Sequence, residues 1–442
     1  MTVSGDTICA VATPPGRGGV GIVRLSGPDS RFIAERLCGE LPSARQAGLR
    51  TFRDAHGDTL DSGLVLFFSG PGSFTGEDVV ELQGHGSPVV LEMILAACVG
   101  FGARRAGPGE FSQRAFVNDR MDLAQAEAVA DLIAAATDTA ARAAHRSLEG
   151  AFSKEVDELV EALVELRVWV EAALDFPDEE IDFLADGQVA ERVAALRSRQ
   201  EELLARAGTG RLLSSGVRIA IVGRPNAGKS SLLNALSRHD AAIVTEVPGT
   251  TRDVLRETIT IAGLPVTLAD TAGIRATDDR IETEGVRRAE REMHAADLVF
   301  WVVDATEPEG DPLPGLPSDV ALIRIDNKID LANESPSRNG RHLRVSARTG
   351  AGLELVEQVV LEELGLDESG GGEYSARQRH VDAIAQAGEH IARGQAELAA
   401  SGSGELLAEE LRLAADALGE ITGRMSSDEL LGRIFSSFCI GK

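Results

Sequence analysis

The chain has 442 residues, a formal net charge of −26 at pH 7 and an aromatic content of only 4%. A chain of this length is expected to form two or three domains, each with its own core. The acidic balance disfavours tight binding of nucleic acid by this chain alone, because phosphate contacts require basic side chains. No apolar run approaches the roughly 18 residues that indicate a membrane helix. The N-terminal segment lacks the basic and apolar regions of an export signal, so we expect a cytoplasmic protein without a membrane span.

The four cysteines (Cys9, Cys38, Cys98 and Cys439) are scattered along the chain without the spacing of metal ligands. The first three are therefore predicted to be buried or incidental thiols in a reducing compartment.

Residues 1–119 mix short β-like runs with turns that are rich in glycine and proline. We interpret this part as a small α/β domain with a helix near 88–99. From about residue 120 the composition changes to alanine, glutamate and leucine, and apolar residues follow the spacing of a buried helix stripe. The stripe consists of Val156, Leu159, Val160, Leu163, Leu166 and Val170.

A second helical stretch lies near the C-terminus, and between the two helical blocks β-type apolar runs alternate with helices. These runs span 217–222, 266–269, 299–303 and 320–325. Such alternation predicts a doubly wound, mainly parallel sheet. The predicted fold class is α/β plus all-α. An α/β domain at 215–368 is inserted between the two halves of a helical domain, 120–214 and 369–442, and all of these follow the N-terminal domain at 1–119.

The segment after the first of these runs carries a phosphate-binding motif, GRPNAGKS, which ends at Ser230 and opens a helical pattern. This is the strand–loop–helix context of a P-loop, in which backbone N–H groups and a helix N-terminus face phosphate oxygens. Lys229 is predicted to reach the β- and γ-phosphates, and Ser230 is predicted to bind Mg²⁺. The nucleotide-binding residues predicted in this motif are Asn226, Ala227, Gly228, Lys229, Ser230 and Ser231.

Two further segments are predicted to sense the γ-phosphate. Asp270 opens the motif DTAG, where its carboxylate would hold Mg²⁺ through water. A polar loop before it occupies the position of switch I, and there Thr251 is the predicted second hydroxyl ligand of Mg²⁺. The nucleotide-binding residues predicted in these segments are Thr245, Glu246, Val247, Pro248, Gly249, Thr250, Thr251, Asp270, Thr271, Ala272 and Gly273.

The base is predicted to be guanine, because Asn327, Lys328 and Asp330 form an NKxD motif after the last apolar run. A carboxylate at Asp330 accepts from the ring N–H and the exocyclic amine of guanine, a pair that adenine lacks. Asn327 is predicted to contact the base and to brace the P-loop, while the stem of Lys328 packs along the ring. A backbone N–H contact with the guanine carbonyl oxygen is expected from the segment Ser346, Ala347 and Arg348.

The residue that orients the attacking water is not evident from the motifs. Ras-type enzymes have glutamine directly after the glycine of the second motif, and this chain has Ile274 there. No arginine finger is identifiable, but a monovalent cation held by Asn226 would neutralise the developing charge. The candidates for orienting water are the nearby acidic residues Asp278, Asp279, Glu282 and Glu284.

Nearly the whole chain resembles the tRNA-modification GTPase family known as MnmE or TrmE. The matching segments include DTICAVATPPGRGGVGIVRLSG, SFTGEDVVELQGHG, NDRMDLAQAEAVADLI, AAIVTEVPGTTRDV and the terminal FCIGK. The resemblance implies a homodimer whose N-terminal domain binds a tetrahydrofolate derivative, in the 5-formyl or the 5,10-methylene form. It also implies an FAD-containing partner of the MnmG (GidA) family, in a heterotetramer or larger complex. With that partner the chain would modify C5 of the wobble uridine, U34, in certain tRNAs, which are bound mainly through the partner.

The resemblance also implies roles for particular residues. The K⁺ ligands would be Asn226, Thr245, Val247 and Thr250, and Glu282 becomes the preferred residue for orienting water. The folate-binding residues would be Arg24, Glu81, Arg120 and Lys442, although the family often has lysine at the position of Arg120. Cys439 matches a cysteine of the family with a suggested role in modification.

Two other functions remain open at this point. A regulatory or ribosome-assembly GTPase switch would lack modification activity, but such proteins usually carry an appended RNA-binding domain, which the acidic balance here does not suggest. A passive folate-binding scaffold conflicts with the intact nucleotide motifs. The leading interpretation is K⁺-dependent GTP hydrolysis coupled to uridine modification.

Overall fold

The computed structural model describes residues 5–175, 188–239, 256–261, 263–270, 293–307, 320–366, 373–424 and 428–441. The chain divides into two compact units, which are described separately: Met1–Ala130 with Gly419–Lys442, and Asp131–Leu418. This division groups the last 24 residues with the N-terminal unit, whereas the sequence suggested that they belong to the helical domain. The four domain bounds given above stay predictions.

The first unit is built on a six-stranded sheet in the order β3-β4-β5-β2-β1-β6. Its strands are antiparallel, except that β1 and β6 run parallel. The strands are β1 (Ile8–Val11), β2 (Gly18–Ser26), β3 (Ala47–Arg53), β4 (Thr59–Phe68), β5 (Val79–Gly86) and β6 (Arg104–Arg105). The helices are α1 (Ser30–Cys38), α2 (Pro88–Gly100), α3 (Glu110–Val117), α4 (Leu123–Ala134), which extends past residue 130, and α13 (Asp428–Ser436). The core of this unit includes the three buried cysteines Cys9, Cys38 and Cys98.

The second unit contains a helical bundle. Its long helices are α5 (Asp138–Leu148), α6 (Ala151–Asp175), α7 (Gln188–Ser215), α11 (Gln378–Ser401) and α12 (Gly404–Thr422), the last of which extends past residue 418. The predicted stripe on α6 is confirmed, since five of its six members are buried and Val160 is half-buried. A stripe of this kind stabilises a helix by packing its apolar face against its neighbours.

The same unit contains a seven-stranded sheet in the order β12-β13-β11-β10-β7-β9-β8. The five inner strands are parallel, and the two outermost strands are antiparallel to their neighbours. The strands are β7 (Val217–Val222), β8 (Arg256–Ile261), β9 (Leu264–Asp270), β10 (Leu298–Asp304), β11 (Ala321–Asn327), β12 (Ser337–Asn339) and β13 (His342–Arg344). Helices α8 (Lys229–His239) and α9 (Ile329–Ala332) lie between strands, and α10 (Leu353–Glu363) follows β13. The predicted class, α/β plus all-α with a mainly parallel sheet, is confirmed.

The central strands β7 and β10 are mainly apolar, as expected for strands that are covered on both faces, whereas β11 also carries Arg324, Asp326 and Asn327. On one face their side chains form a large core with α8 and α10, and on the other face they pack in a smaller cluster with Met293. None of the helices described is long and apolar enough to span a membrane.

Candidate nucleotide-binding site

Four parallel strands end side by side at the carboxyl edge of the second sheet. Ile221 of β7 is paired with Asp270 of β9, and Asp304 of β10 is paired with Asn327 of β11. Because β7 is also paired with β10, the predicted motifs that follow these strands meet along one edge. In open α/β sheets this edge is where ligands bind.

The P-loop has a backbone that only glycine can supply at two positions. Gly223 has a φ of +150°, and a Cβ there would lie 2.2 Å from the carbonyl oxygen of Val302. Gly228 has a φ of +94°, and a Cβ there would lie 2.2 Å from Nδ2 of Asn327. Asn226 also has a positive φ, 64°, which asparagine tolerates better than most residues. The loop leads directly into the N-terminus of α8, so its N–H groups and the helix dipole suit a bound anion.

The side chains of the P-loop differ in exposure. Lys229 is buried, and its ammonium group donates to the carbonyl oxygens of Gly223 at 2.7 Å and Arg224 at 2.8 Å. By contrast, the side chains of Asn226, Ser230 and Ser231 are exposed, while Ala227 is buried. The ammonium group of Lys229 is therefore held against the loop backbone, and the exposed hydroxyl groups of Ser230 and Ser231 lie next to it in the chain.

Asn327 connects the phosphate-binding loop to the base-reading segments. Its Nδ2 donates to the carbonyl oxygen of Ala227 at 3.2 Å, and its Oδ1 accepts from the N–H of Ala347 at 2.9 Å. The side chain is fully buried, and a buried amide left without partners would be costly. The predicted brace between Asn327 and the P-loop is present. Its contact with the base stays a prediction.

Two more side chains of the NKxD motif have defined partners. Asp330 accepts a hydrogen bond from the hydroxyl of Ser346 at 2.6 Å. The ammonium group of Lys328 pairs with Asp304 at 2.6 Å. Burial raises the pKa of Asp304, but hydrogen bonds from Lys328 and Thr306 outweigh it and hold that pKa below the ordinary value. The role of Asp304 was not predicted from the sequence, although an acidic residue at the carboxyl end of a buried strand is a pattern typical of a ligand site.

A cleft of about 190 Å³ lies between the P-loop and the end of β10. It is lined by Arg224, Pro225, Asn226, Ala227, Trp301, Val302, Val303, Asp304 and Glu307. Arg348 lies at the surface beyond Ala347. Residues from three strand ends and two loops are thus brought together at one site.

Several predicted site residues lie outside the described part of the chain. Asp270 ends β9, but its side chain is not among those described. The others that lie outside are Thr245, Glu246, Val247, Pro248, Gly249, Thr250, Thr251, Thr271, Ala272, Gly273, Ile274, Asp278, Asp279, Glu282, Glu284 and Lys442. Their roles stay predictions.

A second candidate site lies in the first unit, where Arg24 and Glu81 are cross-strand neighbours. Nε and Nη2 of Arg24 donate to the same carboxylate oxygen of Glu81 at 3.1 and 2.9 Å. The guanidinium lies 5.6 Å from the ring centroid of Phe74 and 5.7 Å from that of Phe111. The two phenylalanines were not predicted, because nothing in their local sequence indicates this contact. Together the four residues offer polar and aromatic groups to a flat, hydrogen-bonding ligand.

The C-terminal segment of the first unit contacts residues 108 and 109, which directly precede α3. The N–H of Gly109 donates to the carbonyl oxygen of Cys439 at 3.3 Å, and Pro108 forms an antiparallel bridge with Ile440. The thiol-bearing residue Cys439 is exposed. Arg120 is exposed as well, so its predicted role in binding stays a prediction.

Comparison with known proteins covers nearly the whole chain. Residues 123–439 match the family model described as the MnmE helical domain, and residues 7–120 match that of the GTP-binding protein TrmE N-terminus. A protein of Stutzerimonas stutzeri named tRNA modification GTPase MnmE is 53% identical over 457 aligned positions, which cover 100% of both chains. A protein of Alkalilimnicola ehrlichii with the same name is 55% identical over 441 positions, which cover 99% of each chain.

Among solved structures, the G domain of the T. maritima FeoB iron transporter covers 33% of this chain and 98% of its own. It has 24% identity to this chain and a TM-score of 0.24. The two family models and the full-length relatives show the family. This chain belongs to the MnmE family of tRNA modification GTPases.

Proposed function

We propose that the chain hydrolyses GTP to GDP and phosphate with Mg²⁺ and K⁺, and that this turnover accompanies modification of C5 of the wobble uridine in tRNA. One observation carries the nucleotide part. The buried side chain of Asn327 ties the P-loop to the segment at Ala347, so that a phosphate-binding loop and a base-reading segment form one site. The family names of full-length relatives support the tRNA part.

The described residues fit a guanine nucleotide with Mg²⁺. The N–H groups of the P-loop and the N-terminus of α8 would bind the phosphates, and Lys229 would extend from the loop carbonyls to the β- and γ-phosphates. The exposed hydroxyl of Ser230, together with Thr251, would hold Mg²⁺, whose charge stabilises the phosphate oxygens. Asp330 would accept from the ring N–H and the amine of guanine.

The K⁺ part of the proposal rests on Asn226. Its side chain is exposed on the P-loop and lines the cleft beside β10, so its oxygen is free to face a cation together with Thr245, Val247 and Thr250. When bound there, K⁺ would supply positive charge next to the phosphates. Glu282 would orient the attacking water.

The proposed binding of a tetrahydrofolate derivative rests on Arg24 and Glu81. Their side chains are only 22% and 16% exposed, and two aromatic rings flank the guanidinium, which fits a pterin ring with polar edges and flat faces. Arg120 and Lys442 would bind the remainder of the tetrahydrofolate, and Cys439 would act near it. The chain would work in the cytoplasm as a homodimer with an FAD-containing partner of the MnmG family. That partner would supply most of the tRNA contact, because this chain has a net charge of −26.

The nucleotide and K⁺ parts are tested by measuring GTP turnover of the purified chain in K⁺ and Na⁺ buffers of equal ionic strength. We expect turnover in K⁺ to exceed that in Na⁺ by at least about tenfold. Asn226→Gly removes the side-chain oxygen but keeps the positive φ, and it should bring the ratio close to one. Lys229→Ala serves as the background control. Equal turnover of the unsubstituted chain in both buffers would refute the K⁺ role, and no turnover in either would refute GTP hydrolysis.

A further inference from the structure

A buried carboxylate lies directly before the guanine-reading motif. The side chain of Asp326 is 8% exposed, and each of its oxygens has a charged or titratable partner. Nε of Arg324 donates to Oδ1 at 2.8 Å, and Nε2 of His342 lies 2.7 Å from Oδ2. The predicted nucleotide motif begins one residue later, so its chemistry does not require an acid at this position. Because a buried charge is costly unless it is paired, these partners are what make Asp326 tolerable there.

The three residues are fixed by their places on neighbouring strands. Arg324 of β11 is the direct cross-strand neighbour of His342 on β13 and of Trp301 on β10. The guanidinium of Arg324 lies 5.1 Å from the ring centroid of Trp301. Asp326 is two residues further along β11, on the same face as Arg324. The cluster of Arg324, Asp326 and His342 is called the Asp326 triad below.

The triad adds side-chain contacts to a short strand that lies between two neighbouring strands. Strand β13 has only three residues, of which Leu343 is buried in the core, and it pairs with β11 on one side and β12 on the other. Asp326 holds it twice, because its carboxylate contacts His342 at the start of β13 and its carbonyl oxygen accepts from the N–H of Val345 at 2.9 Å. The chain then continues without a break into Ser346 and Ala347. Their position therefore depends on how firmly β13 is held.

Ser346 and Ala347 in turn hold the residues that read the base. The hydroxyl of Ser346 donates to Asp330, and the N–H of Ala347 donates to Asn327. A displacement of β13 would thus move the carboxylate of Asp330 away from the amine of guanine. We propose that Asp326 and His342 are positioning residues that set the preference for guanine. The proposal rests on the guanine-nucleotide binding proposed above, and it extends that function to residues outside the nucleotide motifs.

The test compares GDP with inosine diphosphate, which differs from GDP only by lacking the 2-amino group. In His342→Ala we expect the dissociation constant for GDP to rise about tenfold and that for inosine diphosphate about twofold, so the preference for guanine falls about fivefold. His342→Gln keeps an N–H donor and should restore part of the preference. Both constants are measured by isothermal titration calorimetry on the full chain, and thermal unfolding is recorded for each variant.

The matched control is Arg341→Gln. Arg341 directly precedes β13 and pairs with Glu363 at 2.6 Å on the protein surface, so its loss also weakens an attachment next to this strand but leaves the triad intact. It should change neither dissociation constant by more than about twofold. If His342→Ala does not fold, Asp326→Asn replaces it, because this change keeps the shape and removes the charge.

The proposal is overturned if His342→Ala or Asp326→Asn binds GDP as tightly as the unsubstituted chain. It is also overturned if affinity for both nucleotides falls by the same factor, which is the result of general loosening. If the unsubstituted chain binds neither nucleotide, the proposed GTP binding fails first.

Discussion

Single atoms decide the shape of the phosphate-binding loop. At Gly228 an added Cβ would lie 2.2 Å from the amide nitrogen of Asn327, and Asn327 is the side chain that joins the loop to the base-reading segment. The side chain of Asn327 cannot move away without losing hydrogen bonds, because it is fully buried and both its oxygen and its nitrogen are hydrogen-bonded. The requirement for glycine here is therefore geometric as well as conformational.

We predict that Gly228→Ala weakens GDP binding by at least about a hundredfold, because the added methyl group displaces Asn327 and strains a φ of +94°. Calorimetric titration with GDP measures this directly. The matched control is Gly208→Ala in α7, where a Cβ has no atom within 4 Å and alanine favours the helix. GDP affinity in Gly228→Ala that equals that of Gly208→Ala would contradict the geometric account.

The buried thiols of the first unit give a second prediction at this scale. Burial raises the pKa of Cys9 and of Cys38 from 9.0 to about 11, and it raises the pKa of Cys98 as well. Since the folded-state values exceed the ordinary one, the unfolded chain ionises first as the pH rises. The contribution of Cys9 and Cys38 to the free energy of unfolding is complete below about pH 9 and is lost between about pH 9 and 11.

We therefore expect the free energy of unfolding to fall as the pH rises above about 9, by roughly 2 kcal/mol for each of Cys9 and Cys38. Urea unfolding at about pH 8.5 and pH 10.5 measures the loss. The double variant Cys9→Ala with Cys38→Ala should lose clearly less stability over the same interval. An equal loss in both proteins would show that the thiols do not contribute.

At the scale of elements, the C-terminal segment is held by close backbone approaches. A Cβ at Gly109 would lie 2.5 Å from the carbonyl oxygen of Phe435, and one at Gly441 would lie 2.4 Å from that of Val11. Between these points the backbone of Cys439 is hydrogen-bonded to Gly109 while its side chain stays exposed. Both contacts position the segment that carries the exposed thiol.

We predict that Gly109→Ala raises the rate at which Cys439 reacts with a thiol reagent, by roughly threefold or more, because the added methyl group pushes the segment away. The other three cysteines are buried and should react only after unfolding. Gly102→Ala is the control, because Gly102 also has a positive φ, +116°, but a Cβ there meets nothing within 4 Å. Equal rates in the two variants would mean that strain alone, and not the contact with Phe435, acts on the segment.

The elements also show why part of the fold was predictable from sequence and part was not. The stripe on α6 and the mainly apolar runs of β7, β10 and β11 were predictable, because burial imposes a recognisable pattern over many residues. Strands β12 and β13 have three residues each, which is too short for any period. The Asp326 triad could not be found either, because His342 comes from a segment that only the sheet register brings to Arg324.

At the scale of the whole molecule, the nucleotide motifs were predictable because their chemistry is local in sequence. The flanking groups were not, since Asp304 reaches Lys328, and Phe74 reaches Arg24, only through the fold. The two units each carry one candidate site, a nucleotide site on the parallel sheet and the Arg24–Glu81 pair on the antiparallel sheet. The proposed function assigns both sites to one overall reaction on tRNA.

The most direct test of the proposed reaction on tRNA, and of its dependence on the nucleotide site, is mass-spectrometric nucleoside analysis of tRNA from a strain that lacks this chain. The strain is complemented with the unsubstituted chain, with Gly228→Ala or with the control Gly208→Ala. We expect the C5 substituent of the wobble uridine to be lost in the deletion strain, to be restored by the unsubstituted chain and by Gly208→Ala, and to stay absent with Gly228→Ala. Wobble uridines that keep their substituent in the deletion strain would show that this chain is not needed for the modification.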